Sequence, residues 1–383
     1  MPVSTRGDVD AFIVMDVMGM AAEAEAQGRN VIHMEVGQPG SCAPERARDR
    51  VRQTLDEDPM GYTLTLGLPE LRDRIAALYQ SWYGVDVDPE RIIVTSGSSA
   101  AFVLSFAALF EAGQTVGIAS PGYPSYRQIL KAQNLQADLI QTEAQDGYQL
   151  RPDHITDRDL DGVMVASPAN PTGTMLDRDA LGALTAAAKD ADTAFISDEI
   201  YHGLHYDKRA VTALEVTDDA FVINSFSKYF SMTGWRVGWM VVPPDWLRPV
   251  EKLAQHLFIC APHASQVAAL GALDSMDELE ANRRTYARNR QILVDGLEAA
   301  GITRFAPPDG GFYVYADVSH LGEDSLTLAK DFLAEEAVAV TPGHDFDPRR
   351  GAGTWRFSYA GPTPDMHEGM RRLARFTQRR LST

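Results

Sequence analysis

Seven short runs of apolar, largely β-branched residues recur through the middle of this 383-residue chain, separated by stretches with helical periodicity. Runs that are apolar at nearly every position are typical of parallel strands buried on both faces of a sheet. The predicted strands span residues 92–95, 116–119, 138–142, 163–167, 194–197, 221–224 and 237–242. The seventh follows the sixth after only a short connection, so we predict that it runs antiparallel.

The two ends of the chain have a different pattern from the middle. Helices are predicted at 100–111 and 177–189, between strands, whereas residues 281–304 read as one long charged helix. The sequence Gly310-Gly311-Phe312-Tyr313-Val314 then indicates a turn into a strand. We therefore predict a large α/β domain of residues 46–279 and a smaller α+β domain built from residues 1–45 and 280–383.

Charge and composition exclude several classes of protein. With 53 acidic against 35 basic residues the net charge is −18, which argues against nucleic acid as a partner because phosphate binding needs a basic face. Residues 92–110 carry no charge, but a polar turn at 95–99 divides them, so no membrane span is predicted. The first twelve residues lack the apolar core of a signal peptide. Cys42 and Cys260 are predicted to be reduced thiols of a cytoplasmic protein.

A lysine and an arginine follow the sixth predicted strand in a hydroxyl-rich segment that contains Ser225, Ser227, Lys228 and Arg236. Ligands of open α/β sheets bind beyond the carboxyl ends of strands. A lysine near another cation has a lowered pKa and becomes an amine nucleophile, and the fork of an arginine suits phosphate. A plain surface lysine is the simpler alternative, but the flanking hydroxyls favour an anion site.

Small residues link the first predicted strand to the helix that follows it. Gly97, Ser98 and Ser99 lie at this junction. Free N–H groups at a helix start, approached closely beside small residues, form an anion site. Simple capping of the helix by Ser98 or Ser99 is the alternative, and the sequence leaves both open.

Other predicted strands also end in residues that can contact a ligand. Asp198 comes directly after the fifth strand, with Tyr201 three residues on, and a carboxylate there either holds a proton on a buried heterocycle or caps a helix. Asn170 follows the fourth strand in a turn. Tyr123 follows the second strand, where it can stack on a planar ligand. We therefore predict that Ser98, Tyr123, Asn170, Asp198 and Lys228 meet at the carboxyl ends of five strands.

The order and spacing of these motifs resemble those of the class I/II aminotransferases, the fold-type I enzymes that use pyridoxal 5′-phosphate (PLP). The matching motifs are Asn170-Pro171-Thr172-Gly173, Asp198 with Tyr201, Ser225-Phe226-Ser227-Lys228 with Arg236, Gly61-Tyr62-Thr63, residues 67–72 and residues 355–358. The resemblance extends over about residues 36–358. It implies a mostly parallel seven-stranded sheet sandwiched by helices, with a smaller α+β domain from both chain ends.

The resemblance implies three catalytic residues and two further ring contacts. Lys228 forms the Schiff base with the cofactor aldehyde and later carries the proton shift. Asp198 pairs with the pyridinium nitrogen and keeps the ring an electron sink. Asn170 and Tyr201 donate hydrogen bonds to the ring O3′, and Tyr123 stacks on the ring face.

The remaining implied contacts hold the phosphate and the substrate. The phosphate ligands are Ser98, Ser99, Ser225 and Arg236, with Gly97 allowing a close approach and Ser227 a further cofactor contact. Tyr62 reaches the phosphate from a neighbouring subunit, so a homodimer is expected. Arg356 clamps the substrate α-carboxylate, with Asn170 and the backbone at Gly37 beside it. No metal site is predicted.

The amino acid substrate is less constrained. Dicarboxylate-specific members often carry a second cation, in some cases on the helix after the phosphate turn, and residues 100–110 contain no Lys or Arg. We therefore favour ping-pong transamination between a neutral amino acid, or a broad range of them, and 2-oxoglutarate or pyruvate. Two alternatives stay open, a PLP-dependent C–S β-lyase and a dicarboxylate-specific aspartate aminotransferase. A DNA-binding sensor of this fold disagrees with the charge and with the roughly 35 residues before Val36.

Overall fold

The computed structural model describes residues 4–322 and 324–382. The helices are α1 (Ile13–Ala26), α2 (Glu45–Glu57), α3 (Pro69–Tyr83), α4 (Gly97–Leu109), α5 (Pro124–Ala132), α6 (Asp153–Thr156), α7 (Arg178–Asp190), α8 (Pro244–Leu257), α9 (His263–Leu273), α10 (Met276–Ala299), α11 (Ser325–Glu336) and α12 (Thr363–Leu381). The strands are β1 (Ile32–His33), β2 (Ile92–Thr95), β3 (Thr115–Ser120), β4 (Gln136–Gln141), β5 (Gly162–Ala166), β6 (Ala194–Asp198), β7 (Phe221–Ser225), β8 (Gly238–Val241), β9 (Tyr313–Asp317), β10 (Val338–Ala339), β11 (Thr341–Pro342) and β12 (Thr354–Ser358).

Strands β2 to β8 form one seven-stranded sheet in the order β2-β8-β7-β6-β5-β3-β4. Neighbouring pairs among β3 to β7 are parallel, whereas β8 is antiparallel to both β7 and β2. Each predicted strand is present, and the predicted antiparallel direction of the seventh is confirmed. Because β8 is the one reversed strand, β2 and β3 to β7 all present their carboxyl ends at the same edge.

Alternate residues of the central strands are buried on opposite faces of this sheet. Val163 and Val165 of β5 belong to one apolar core, with side chains of α3, α7 and α9. Met164 belongs to a second core, with side chains of α4, α5 and α8. Both faces are therefore covered by helices, and the sandwich expected from the apolar runs is confirmed.

Three predicted boundaries were wrong by several residues. Strand β4 begins at Gln136, two residues before the prediction, since this edge strand starts with a polar, exposed glutamine that does not continue an apolar run. Helix α4 begins at Gly97 rather than at residue 100, so the polar turn is shorter than expected. Helix α10 begins at Met276, where Asp277 and Glu278 in the first turn complement the helix dipole.

Segments from both ends of the chain pack together beside the sheet. Strand β1 pairs in parallel with β10, and β9, β11 and β12 form a three-stranded antiparallel sheet. Helix α10 packs along α12. Segments from both chain ends therefore form one small α+β unit, as the sequence predicts. The exact domain boundaries at residues 45/46 and 279/280 stay predictions.

Two further expectations concern the membrane and the thiols. Among the described residues, no helix combines the length and apolar character needed to cross a membrane. Cys42 and Cys260 are both free thiols, as predicted for a protein without a disulfide framework.

Candidate active site

One cavity of about 220 Å³ lies beyond the carboxyl ends of the large sheet. It is lined by the five residues predicted to meet at strand ends, namely Ser98, Tyr123, Asn170, Asp198 and Lys228. These five lie at or just beyond the carboxyl ends of β2, β3, β5, β6 and β7, which are at a common edge of one sheet. Six further predicted residues also line the cavity, namely Gly37, Ser99, Tyr201, Ser227, Arg236 and Arg356. The topology therefore brings together side chains that are spread over the sequence from Ser98 to Lys228.

The side-chain amine of Lys228 lies in the cavity. Its Nζ donates a hydrogen bond to the carbonyl oxygen of Gly37 at 2.7 Å and lies 5.6 Å from the centre of the Tyr201 ring. Burial first, and then the nearby guanidinium groups of Arg356 and Arg236, together lower the pKa of Lys228 to about 8. About half of such an amine is uncharged near pH 8, so Lys228 is a usable nucleophile and proton acceptor.

Asp198 ends β6 with a buried carboxylate. One oxygen accepts the backbone N–H of Ile200 at 3.0 Å, and the other accepts the hydroxyl of Tyr126. Burial raises the pKa of Asp198 to about 6, against the opposing hydrogen bonds from Tyr126 and Ile200. A buried carboxylate of this kind is stabilised by a cationic partner, such as a protonated ring nitrogen.

The start of α4 forms an anion cradle with Arg236. Ser96 occupies the N-cap position of helix α4 without a side-chain capping bond, and the helix begins at Gly97. Ser98 and Ser99 therefore lie inside its first turn, and the alternative that either of them is the N-cap was wrong. Gly97 has φ +75°, and a Cβ there would come within 2.2 Å of Arg236 Nη2. Only glycine therefore lets the guanidinium approach the helix start, where N–H groups and a cation converge.

Two serines at the end of β7 and in the loop after it adjoin this cradle. Ser227 lines the cavity, and its hydroxyl oxygen accepts a hydrogen bond from Ser225 Oγ at 2.9 Å. Ser225 Oγ also accepts the backbone N–H of Ser227 at 3.1 Å. Ser225 thus lies buried behind Ser227 and fixes the loop that leads to the lysine.

Arg356 in β12 presents a buried guanidinium on the opposite wall. Its Nη1 donates to Asn170 Oδ1 at 3.0 Å, and its Nη2 donates to the carbonyl of Glu35 at 2.5 Å. The guanidinium also lies over the rings of Tyr313 at 4.3 Å and Phe346 at 4.8 Å. The fork is held rigidly from several sides, which suits it to a carboxylate.

Tyr201 and Gly37 meet at Tyr313. The hydroxyls of Tyr201 and Tyr313 are 2.9 Å apart. A Cβ on Gly37 would lie 1.8 Å from the Tyr313 hydroxyl oxygen, so residue 37 must be glycine for this packing. Tyr201 and the Gly37 carbonyl therefore form one wall around the lysine amine.

Tyr62 is placed differently from the other predicted residues. Its side chain is 83% exposed and lies outside the cavity formed by the described residues of this chain. Its predicted contact with the phosphate of a neighbouring subunit stays a prediction.

Several residues of the site were missed by sequence reasoning. Tyr126, which bonds Asp198, and Phe346, under Arg356, carry no local signal, because their roles depend on packing between distant segments. Phe12 and Met15 also line the cavity from the start of α1. Tyr313 lies in the strand that the sequence predicts after Gly310-Gly311, but that motif does not indicate the contacts of Tyr313 with Tyr201 and Arg356.

The residues present fit PLP. Its phosphate matches the cradle of Gly97 and Arg236, its ring nitrogen matches the buried Asp198 carboxylate, and its aldehyde matches the Lys228 amine. Asn170 uses its oxygen for Arg356, so its amide nitrogen is the group that can donate to a ring oxygen.

Comparisons with known proteins agree with this fit. The sequence profile of the family described as Aminotransferase class I and II matches residues 29–373. A valine–pyruvate aminotransferase of Mycobacterium tuberculosis is 44% identical over 377 residues, covering 97% of each chain. An aminotransferase structure from the same organism has a TM-score of 0.97 at 43% identity, covering 99% of this chain and 100% of that one.

A more distant solved structure has the same fold. Aspartate aminotransferase from Thermus thermophilus, solved with maleate, has a TM-score of 0.92 at 29% identity and covers 98% of this chain and 100% of that one. Because the family profile matches most of the length of this chain, the chain belongs to the class I and II aminotransferases, enzymes that use pyridoxal phosphate.

Proposed function

We propose that this aminotransferase moves the amino group of a neutral amino acid to a 2-oxo acid, to pyruvate rather than to 2-oxoglutarate. The observation that carries the proposal is the number of cations in the site. Among the described residues that line the cavity, the cationic side chains are Lys228, Arg236 and Arg356. The aldehyde, the phosphate and the α-carboxylate require all three. A side-chain carboxylate on the donor would be left without a partner in a buried site, which is costly.

The rest of the lining supports an alkyl side chain. Phe12, Val14, Met15, Met18 and Ile129 contribute apolar surface to the cavity. The relative that is 44% identical carries the name valine–pyruvate aminotransferase, a neutral donor with a small oxo acid acceptor. Both observations favour alkyl amino acids and pyruvate over dicarboxylates.

The chain's own groups have distinct tasks in this reaction. Bound PLP supplies the electron sink for breaking the C–H bond at the substrate α-carbon. Arg356 binds and orients the α-carboxylate, and Lys228 Nζ, with its lowered pKa, accepts and returns the α-proton. Asp198 holds a proton at the ring nitrogen, and the close packing of Tyr201 and Tyr313 excludes water from the lysine amine.

A donor panel tests the proposal. Valine, leucine, alanine and aspartate are compared as donors with pyruvate and with 2-oxoglutarate, and kcat/KM is measured for each pair. We expect the best alkyl donor to exceed aspartate by at least about tenfold, since tenfold corresponds to about 1.4 kcal/mol and a buried carboxylate without a cation costs more than that. Equal or higher values for aspartate would contradict the assignment of a neutral donor.

A C–S β-lyase would use Lys228 and Asp198 in the same way, so those residues do not discriminate between the two reactions. The products do discriminate. Incubation with cystathionine and no oxo acid would release ammonia and pyruvate steadily from a lyase, whereas a transaminase stops after one turnover of its cofactor. Continuous ammonia release faster than alkyl transamination would assign the lyase reaction instead.

A further inference from the structure

The beginning of α1 forms one wall of the active-site cavity. Phe12 and the helix residues Val14, Met15 and Met18 all line it. Positions 14, 15 and 18 are three and four residues apart, so they lie on one face of the helix. Met15 is 56% exposed, which is unusual for so large an apolar side chain and places it at the mouth of the cavity. This wall is apolar throughout.

Asp345 fixes the wall in position. Its buried carboxylate accepts the backbone N–H of Ile13 at 2.9 Å and that of Val14 at 2.8 Å. These are two of the N–H groups that a helix leaves unpaired at its start, and a carboxylate is their strongest acceptor. The first turn of α1 is thus attached to a segment 332 residues away in the chain.

A second attachment lies just before the helix. The backbone N–H of Asp10 donates to Gln128 Oε1 at 3.1 Å, and Gln128 Nε2 donates back to Asp10 Oδ2 at 2.8 Å. Phe12, between the two attachments, packs edge-on against Tyr123 with ring centres 6.1 Å apart. The segment is therefore held on both sides of Phe12 and covers the cavity as a fixed surface.

The same attachment connects the wall to the carboxylate clamp. Phe346, the residue after Asp345, lies 4.8 Å from the Arg356 guanidinium. Asp345 and Phe346 therefore fix the distance between the start of α1 and the Arg356 guanidinium. A substrate whose α-carboxylate is held by Arg356 presents its side chain at a defined distance from the α1 wall.

We propose that the α1 wall, formed by Phe12, Val14, Met15 and Met18 and positioned by Asp345, selects donors with apolar side chains, with Met15 as the specificity-determining residue at its rim. This inference rests on the proposed function. An alkyl side chain buries against the methionines, whereas a side-chain carboxylate there would lose its water and find no cation.

Binding of carboxylic acids to the holoenzyme tests the wall without turnover. Titration calorimetry gives Kd for 4-methylpentanoate and for glutarate, which share one carboxylate and differ at the far end. Met15→Arg places a cation at the rim, so we expect the ratio of the two Kd values to shift at least tenfold toward glutarate. Leu381→Arg is the matched control, because Leu381 is equally exposed at 56% and lies on α12, away from the cavity.

A shortening variant gives an independent readout. Met15→Ala removes apolar surface, so we expect a three- to tenfold weaker binding of 4-methylpentanoate and an unchanged Kd for acetate, which is too short to reach the wall. The inference would be overturned if the ratio of the Kd values for 4-methylpentanoate and glutarate in Met15→Arg lay within twofold of the ratio in Leu381→Arg. It would also be overturned if Met15→Ala weakened the binding of 4-methylpentanoate and of acetate equally. A wild-type holoenzyme that converts no amino acid would refute the proposed function instead, and the binding ratios would still report on the wall.

Discussion

Replacing Arg356 with lysine separates the geometry of the carboxylate clamp from its charge. Lysine keeps the cation, but it loses the planar fork, the two-sided stacking on Tyr313 and Phe346, and at least one of the bonds to Asn170 and Glu35. Hydrogen bonds to charged groups contribute about 1.5–3 kcal/mol each. We therefore expect a loss of about 2–4 kcal/mol in binding the α-carboxylate, which corresponds to about 30- to 700-fold in kcat/KM.

The charge that lysine retains gives this experiment a second readout. Arg356 is one of the groups that lower the pKa of Lys228, and Arg356→Lys keeps a cation there. The pH dependence of the amino acid half-reaction should therefore keep its midpoint while its rate falls. Arg349→Lys, the same change at an exposed position seven residues upstream, serves as the control. A loss in kcat/KM below threefold would refute the reasoning, because the α-carboxylate would then be bound elsewhere.

Three further predictions follow from the same geometry. Since the pKa of Lys228 is lowered to about 8, the rate of PLP capture by the apoenzyme should rise with pH around a midpoint near 8, and a midpoint near the ordinary lysine value of about 10.4 would contradict this. Gly97→Ala should weaken PLP binding at least tenfold in a fluorescence titration, because its Cβ collides with Arg236. Gly113→Ala, which has a similar positive φ and open space around it, should lower only the melting temperature. Tyr62→Phe should weaken PLP binding about fivefold, the loss of about 1 kcal/mol for one hydrogen bond, while sedimentation still shows a dimer. An active wild-type monomer would disprove the intersubunit contact.

The large sheet was predictable because burial on both faces leaves a direct trace in the sequence. Continuous apolar runs marked β5 and β7 to within one residue. Successive side chains of a strand point to opposite faces, so a strand through Trp355, Arg356 and Phe357 turns the arginine away from its two aromatic neighbours. In the structure Trp355 stacks on Phe332, while Arg356 turns to the cavity.

The contacts that tune the site were not predictable, because they join segments far apart in sequence. The hydroxyl of Tyr126 reaches Asp198 across 72 positions, and Asp345 holds α1 across 332. Neither partner has a local pattern that differs from an ordinary helix aromatic or a loop aspartate. Such pairs follow from how α5 packs on the sheet and how the chain ends meet, which single-sequence periodicity does not encode.

Isotope transfer tests the central claim most directly. The holoenzyme is incubated with ¹⁵N-labelled valine and unlabelled pyruvate, and the products are followed by mass spectrometry with ammonia measured in parallel. The account predicts that the label appears in alanine, in amounts equal to the 2-oxo acid formed from valine, without free labelled ammonia. Label released as ammonia, or alanine labelled from aspartate but not from valine, would contradict it.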